Sequence, residues 1–330
     1  MTKKIFLLGL ALLLVAGMVF AAPAKSGIKI GIVNLHPSES GYREANVKDM
    51  DRVFNAKNGY DVKKTNVNTL DEQLKAARQY ITDGVKYLLI SAADANGWDS
   101  VLADAKKAGV KVFLFDRMIN TDPSNYEAAV ISDMVNQGKN AVAWLKSLNL
   151  PAYNIIHIQG QIGSAAQIGR TGPLDEAVKA DSNKWKIVRR GTGGDTWSAD
   201  EAKKIVEAAI AAGEKFNIIY AENDGMAEGA MKALQAAGKT YGVKGDIKIM
   251  GFDCNKFALR YVLKGDWNFD GQCSPFQADK IHEFIQKLEK GQSLNLADKV
   301  VINAETYFAN PNPAGKIITK ADIDKYGLGD

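Results

Sequence analysis

Residues 87–117 read YLLISAADANGWDSVLADAKKAGVKVFLFDR, and this stretch decides the fold. The unbroken apolar run at 87–90 is the mark of a strand buried on both faces. A polar loop follows, after which 98–108 carries helical spacing and stops at Gly109, a residue suited to a helix end because it lacks a Cβ. A second apolar run at 111–115 finishes at Asp116-Arg117. Strand, helix and strand in so short a span form a βαβ unit, whose strands lie parallel.

The same plan recurs at 216–254, FNIIYAENDGMAEGAMKALQAAGKTYGVKGDIKIMGFDC. There a strand at 217–220, a helix at 224–236 stopped at Gly238, and a strand at 246–252 lead again to a terminal aspartate, Asp253. Outward from these units, IKIGIV at 28–33 gives a first strand. Thr69-Leu70-Asp71-Glu72 predicts a capped helix with Leu70, Leu74, Ala77 and Ile81 on one face, ended by Gly84. Residues 154–158 and 185–188 predict strands, 164–179 a helix, and Ser198 with Glu201 the start of another. The alternation predicts an α/β protein of two similar Rossmann-like lobes, each a parallel sheet flanked by helices.

A length of 330 residues with 46% hydrophobic and 24% charged side chains fits two globular domains. The net charge is +4, falling to +2 without Lys3 and Lys4, too small and too dispersed for a nucleic-acid footprint. Only Cys254 and Cys273 are cysteines, and His36, His157 and His282 are scattered, so neither a disulfide scaffold nor a metal site is expected. No cofactor is expected either. Lys3 and Lys4 precede an apolar run at 5–20, with Ala21 and Ala22 after it, the layout of a secretory signal cleaved after Ala21 or Ala22. That run falls short of the roughly 20 residues a membrane span needs, and no cysteine stands near the cleavage point to carry a lipid. A periplasmic location is expected.

Enzyme motifs fail on inspection. Ala237-Gly238-Lys239-Thr240 lacks the first glycine of a phosphate loop, since position 233 is Ala233. Gly191-Thr192-Gly193-Gly194 lacks the last glycine of a dinucleotide fingerprint, since position 196 is Thr196. Neither a Gly-x-Ser-x-Gly elbow nor an HExxH helix occurs.

Ligands of open parallel sheets sit beyond the carboxyl ends of the strands. The polar residues expected there are Glu39, Ser40, Tyr42 and Arg43 after the first strand, Trp98, Asp116 and Arg117, Asp133, Gln159 and Arg170, Asn223, and Asp253. Carboxylates accept, guanidinium groups donate in a fixed fork and asparagine does both, a set suited to hydroxyl groups. Tyr42, Trp98 and Trp197 could cover an apolar C–H face. Arg43, Arg117 and Arg170 balance Glu39, Asp116 and Asp253, which favours a neutral ligand. Two other readings use the same residues: ion pairs that merely avoid uncompensated burial, or a secreted sugar hydrolase or isomerase with Asp116 and Asp253 as paired carboxylates. A sugar-sensing transcription regulator would need a helix-turn-helix where the signal stands.

The ordered set Ser38-Glu39-Ser40-Gly41-Tyr42-Arg43, Gly97-Trp98, Phe113-Leu114-Phe115-Asp116-Arg117, Ser132-Asp133, Gln159-Gly160 with Gly163 and Arg170, Tyr220-Ala221-Glu222-Asn223-Asp224, and Gly251-Phe252-Asp253 resembles the periplasmic solute-binding proteins of ABC sugar importers. Within them it is most similar to the galactofuranose-binding subfamily. The resemblance spans essentially all of the mature chain. It implies a protein that closes on a monosaccharide, docks on an ABC permease in the inner membrane and is compatible with a chemoreceptor; a monomer is expected. It implies sugar contacts from Asp116 and Arg117 in one lobe and from Arg170, Asn223 and Asp253 in the other. Tyr42-Arg43 and Trp98 stand where the subfamily has Trp-Arg and Trp. It also implies crossovers near Ser132-Asp133, Ser274-Pro275 and Asn303-Ala304, hence lobes of 27–132 with 275–302 and 133–274 with 303–330, joined by a three-segment hinge. Cys273, with Gln272 beside it, departs from the glutamine of related pentose-binding proteins, and Thr196-Trp197 shifts the aromatic position by one. Cys254 and Cys273 are a candidate disulfide in an oxidising compartment, the alternative being two buried thiols.

Overall fold

The computed structural model describes residues 27–313 and 317–329. The expected signal segment, 1–22, lies outside them, and among the described residues no helix is long and apolar enough to cross a membrane.

Twelve strands are described: β1 (Ile28–Asn34), β2 (Tyr60–Asn66), β3 (Tyr87–Ile90), β4 (Lys111–Asp116), β5 (Ala128–Ile131), β6 (Tyr153–Gln159), β7 (Trp185–Thr192), β8 (Ile218–Ala221), β9 (Lys248–Asp253), β10 (Phe269–Gln272), β11 (Val300–Ile302) and β12 (Tyr307–Ala309). They form two six-stranded sheets, ordered β11-β5-β4-β3-β1-β2 and β12-β10-β9-β8-β6-β7. Pairing is parallel throughout, apart from the antiparallel β10–β12 edge. The helices are α1 (Gly41–Val53), α2 (Leu70–Thr82), α3 (Asp99–Lys107), α4 (Met134–Ser147), α5 (Ala165–Ala180), α6 (Ala199–Ala211), α7 (Asp224–Ala236), α8 (Lys256–Lys264), α9 (Ala278–Glu289) and α10 (Lys320–Tyr326).

The repeated unit read at 87–117 is β3-α3-β4, and its counterpart at 216–254 is β8-α7-β9. The strands β3 and β8 are buried residue for residue, as expected of strands covered on both faces. Each sheet is sandwiched by two apolar clusters. On one face of the first sheet, Leu88 and Leu114 meet Val101 and Leu102 of α3. On its other face, Leu89 and Phe113 meet Met50 of α1 and Ile281 and Phe284 of α9. The second sheet is covered likewise, with Trp144 and Leu145 of α4 on one face and Val206 and Met231 on the other.

Sequence periodicity missed several elements. The edge strand β2 alternates no clean apolar face and is mostly exposed or half-buried. Helix α1 buries Arg43, Asn46 and Asp49 beside Tyr42, Val47 and Met50, so it shows no clean apolar stripe.

Between the sheets the chain crosses after β5, after β10 and after β11. Glu305, on the third crossing, binds all three: its carboxylate accepts from Ser132 Oγ at 2.5 Å, from the Ser274 amide at 2.8 Å and from Gln137 Nε2 at 2.7 Å. Burial raises its pKa, against the pull of those three bonds.

Candidate functional site

The carboxyl ends of both sheets face one cleft, where a cavity of about 270 Å³, part of it open to solvent, is lined from both sides. The lobes meet at its mouth. The Ala95 amide donates to Gly163 O at 3.1 Å, Gln161 Nε2 donates to Asn68 O at 2.9 Å, and the Arg117 guanidinium lies 5.8 Å from the Trp197 ring centre.

On the first lobe, β4 ends at Asp116 with φ +64°. This is left-handed backbone that a non-glycine residue adopts at a cost of about 1–3 kcal/mol. The bend delivers the carboxylate into a ring of donors: Tyr42 OH at 2.7 Å, Arg43 Nη2 at 2.6 Å and Ser91 Oγ at 2.8 Å. Three of its roughly four acceptor positions are thus filled by protein, and one is left for a ligand. Burial alone would raise the pKa of Asp116, but Arg43 and then Arg117 outweigh it and hold the carboxyl below its ordinary value. Arg43 spends its fork on Glu39 at 2.9 Å, Asn34 and Asn46 at 3.0 Å and Asp116. It is a fully buried brace behind the cavity wall, not part of its surface. Arg117 reaches Glu39 through Nη2 at 3.0 Å, while its buried Nε makes no hydrogen bond and stands 3.6 Å from Asp116 Oδ2 as an ion pair.

The second lobe repeats the arrangement. Strand β9 ends at Asp253, with φ +111°, followed by Cys254, with φ +61°. Arg170, from α5, donates to Asp253 Oδ1 at 3.0 Å, to Gln137 Oε1 at 2.9 Å and to the Glu222 carbonyl. Burial pushes Asp253 up to about 6; Arg170 opposes this, while Glu39 and Asp116 across the cleft add to it. Asn223 caps α7, its Oδ1 accepting from Met226 N at 2.8 Å, and also lines the cavity.

Of the expected site residues, Glu39, Tyr42, Asp116, Arg117, Arg170, Asn223 and Asp253 come together at the cavity wall. Trp98 does not. It sits in the core of the first lobe against Val101 and Leu102, with Nε1 donating to Asp94 O at 3.0 Å. Asp133 does not line this cavity either, because its side chain caps α4 by accepting from Asn136 N at 2.9 Å. The strand-end rule places a residue in a neighbourhood and says nothing of where a side chain turns, and both turn to local duties.

Trp197, one aromatic among several in the sequence, supplies the indole wall. Its φ is +50°, its ring stands 5.8 Å and 5.9 Å from the guanidinium groups of Arg117 and Arg170, and its buried Nε1 has no partner. Gly160 makes room for it, since a Cβ there would stand inside 3.0 Å of three ring carbons. Met134, Ala166 and Cys273 complete the apolar part of the wall.

The candidate disulfide is not formed. Cys254 and Cys273 are both buried and free. Cys254 Sγ turns toward the Asp270 carbonyl at 3.9 Å and Cys273 Sγ toward Ser132 Oγ at 3.5 Å. Burial raises both thiols above their ordinary pKa. Among the described residues no group of three or more metal-ligating side chains converges.

The geometry agrees with what comparison finds. The profile described as periplasmic binding protein domain matches residues 30–293. The galactofuranose-binding protein of Escherichia coli (strain K12) is 30% identical over 315 residues, 93% of this chain and 95% of the relative. A crystal structure of a galactofuranose binding protein superposes with a TM-score of 0.79 at 28% identity, covering 91% of this chain and 98% of the other. The binding protein of the arabinose ABC transporter from Shewanella sp. ANA-3, bound to α- and β-L-arabinofuranose, superposes at 0.78 with 26% identity over 90% and 95%. Two parallel sheets, three crossings and a cleft lined from both strand ends agree with the sequence match: the chain belongs to the periplasmic binding protein family.

Proposed function

We propose that this chain is the sugar-capturing component of an ABC importer, taking a neutral monosaccharide of the galactofuranose or related aldose class. The observation that carries the reading is the charge balance of the cavity. Each cationic side chain is already paired with a carboxylate of its own lobe: Arg43 and Arg117 with Glu39 and Asp116, Arg170 with Asp253. A charged ligand would leave one member uncompensated in a desolvated site, whereas hydroxyl groups can use the bonds left open. Those are the N–H groups of Arg117 and Trp197 that make no hydrogen bond and the remaining acceptor position of Asp116. Arg170, Asn223 and Asp253 approach from the other lobe, and the indole of Trp197 covers a C–H face.

Capture proceeds by closure. The sugar binds both half-sites only when the lobes meet, so its differential affinity draws them together about the three crossings. The permease in the inner membrane then reads the closed surface. The protein works as a periplasmic monomer released from its signal after Ala21 or Ala22, and the same closed surface is available to a chemoreceptor. The relatives are binding proteins, and Asp116, clasped by three donors and held ionised, is no general acid.

Thermal-shift screening against a monosaccharide panel, followed by calorimetry, tests the reading. A ligand at about 100 times its Kd stabilises by about 2.7 kcal/mol. A panel in which no neutral monosaccharide shifts the melt would overturn it.

A further inference from the structure

Beneath the sugar-facing turn of the second lobe lie two carboxyl groups that no cation among the described residues compensates. Asp224, first residue of α7, and Asp270, in β10, are both fully buried. Asp224 Oδ2 accepts from the Asn255 amide at 2.8 Å and from Asn255 Nδ2 at 2.9 Å. Asp270 Oδ1 accepts from the Cys254 amide at 3.3 Å. The pair thus grips two successive amides of the turn Asp253-Cys254-Asn255, whose first two residues both hold positive φ. The two other carboxyl oxygens, Asp224 Oδ1 and Asp270 Oδ2, are buried and have no hydrogen-bond partner among the described residues, and both carboxyl groups stand beside Gly251, which pairs with Asp270 across the sheet. Two ionised carboxylates have no hydrogen to share, and like charges in one buried site keep a proton between them. Gly251 leaves the space, because a Cβ there would stand inside 3.0 Å of Asp224 Oδ1.

We propose that Asp224 and Asp270 hold a single proton between them and act as a positioning pair for sugar capture, fixing Asp253 against Arg170 while the proton is present and loosening that turn when it is lost. The inference rests on the sugar-binding reading above. The charged and titratable groups facing the pair are Asp253 and Cys254 from the end of β9, with Arg170 of α5 beyond Asp253, and Glu39 and Asp116 acting on Asp253 from across the cleft. None of these places a cation against the pair itself, since Arg170 is taken by Asp253. Burial raises Asp270 to about 8, with Asp253 adding to the rise, and raises Asp224 well above its ordinary value, with Asp270 and then Asp253 adding.

The folded protein therefore holds a proton that the unfolded chain releases near pH 4. Stability from this source is full below that pH and declines as pH rises, until it is lost above about 8. Sugar affinity is predicted to follow, weakening by up to about tenfold per pH unit above that value. Calorimetry with a monosaccharide that binds at about pH 6 tests this across a range to about pH 9.5, alongside thermal melts without sugar.

In Asp270→Asn the amide N–H replaces the shared proton and its oxygen keeps the Cys254 amide. That variant should bind at alkaline pH as it does at pH 6, and its sugar-free melt should lose the decline that wild type shows as pH rises to about 8; Asp224→Asn should behave the same way. The double variant turns two amide N–H groups toward each other and should bind at least tenfold more weakly at every pH. Flat wild-type affinity and melting through pH 9.5 would overturn the proposal. So would single variants as impaired as the double. If no sugar binds at any pH, the functional reading fails, while the pH slope of the sugar-free melt still reports on the shared proton.

Discussion

Replacing Gly41 with alanine separates closure from folding. Gly41 opens α1 on the first lobe, and its φ is not positive, so alanine fits the backbone without strain. Within its own lobe the substitution should be neutral or stabilise by about 0.4–1 kcal/mol, through reduced freedom of the unfolded chain. Across the cleft the outcome differs. A Cβ at position 41 would stand inside 3.0 Å of Asn255 Oδ1 on the other lobe, closer than carbon and oxygen tolerate. Asn255 cannot simply swing away, because its Nδ2 donates into Asp224 Oδ2 at 2.9 Å. The cheapest relief gives up that bond, worth about 1.5–3 kcal/mol for a charged acceptor, or leaves the lobes ajar. Sugar affinity should therefore fall about ten- to hundredfold, while the sugar-free melting temperature stays level or rises. Isothermal calorimetry and a thermal melt of the same preparation measure both. A Kd within threefold of wild type would refute the reasoning, because it would mean that the lobes need not meet at Gly41 and Asn255 to hold the ligand. A fall in the sugar-free melt would assign the effect to folding instead.

Other substitutions probe single contacts. Asp116→Asn keeps the shape of the side chain and removes its charge, so neutral-sugar affinity should drop about ten- to hundredfold if the hydroxyl bond is charge-assisted; calorimetry giving an unchanged Kd would remove Asp116 from the contacts. Trp197→Phe deletes an N–H that has no protein partner, and binding should weaken by at least about 0.5–1.5 kcal/mol, whereas equal affinity would mean that the sugar leaves that donor unused. Glu305→Gln replaces one acceptor oxygen at the crossing of three segments with an amide that meets donors already present. It should lower the melt by an amount equivalent to about 1–3 kcal/mol, and no change would deny the crossing its knot. Thiol titration of denatured, unreduced protein should count two reactive cysteines after none in the native state; a count of zero in the denatured protein would restore the disulfide.

The repeated βαβ units were legible because strands covered on both faces leave continuous apolar runs, as at 87–90 and 111–115, and because Gly109 and Gly238 close the helices between them with positive φ. The aspartates ending those units were legible for the same reason: Asp116 and Asp253 occupy equivalent ends of β4 and β9. What the pattern could not carry was direction. Trp98 and Asp133 stand in the expected loops yet turn back to pack and to cap, while Trp197 reaches the cavity from a left-handed position that no periodicity marks. Arg43 was expected among the cavity residues and lies one layer behind the wall, because a helix that buries an arginine needs the carboxylates of the site to compensate it. The Asp224–Asp270 pair was invisible for a further reason, since its two members are 46 positions apart in the numbering and come together only through the pairing of β10 with β9 and the packing of α7 against Gly251 of β9.

The most direct test of a cavity built for an uncharged guest is calorimetry on the wild-type chain with galactose or arabinose and, side by side, with the corresponding uronate. Saturable one-to-one binding of a neutral sugar, with the uronate at least tenfold weaker, is the predicted result. Equal or tighter binding of the uronate would contradict it.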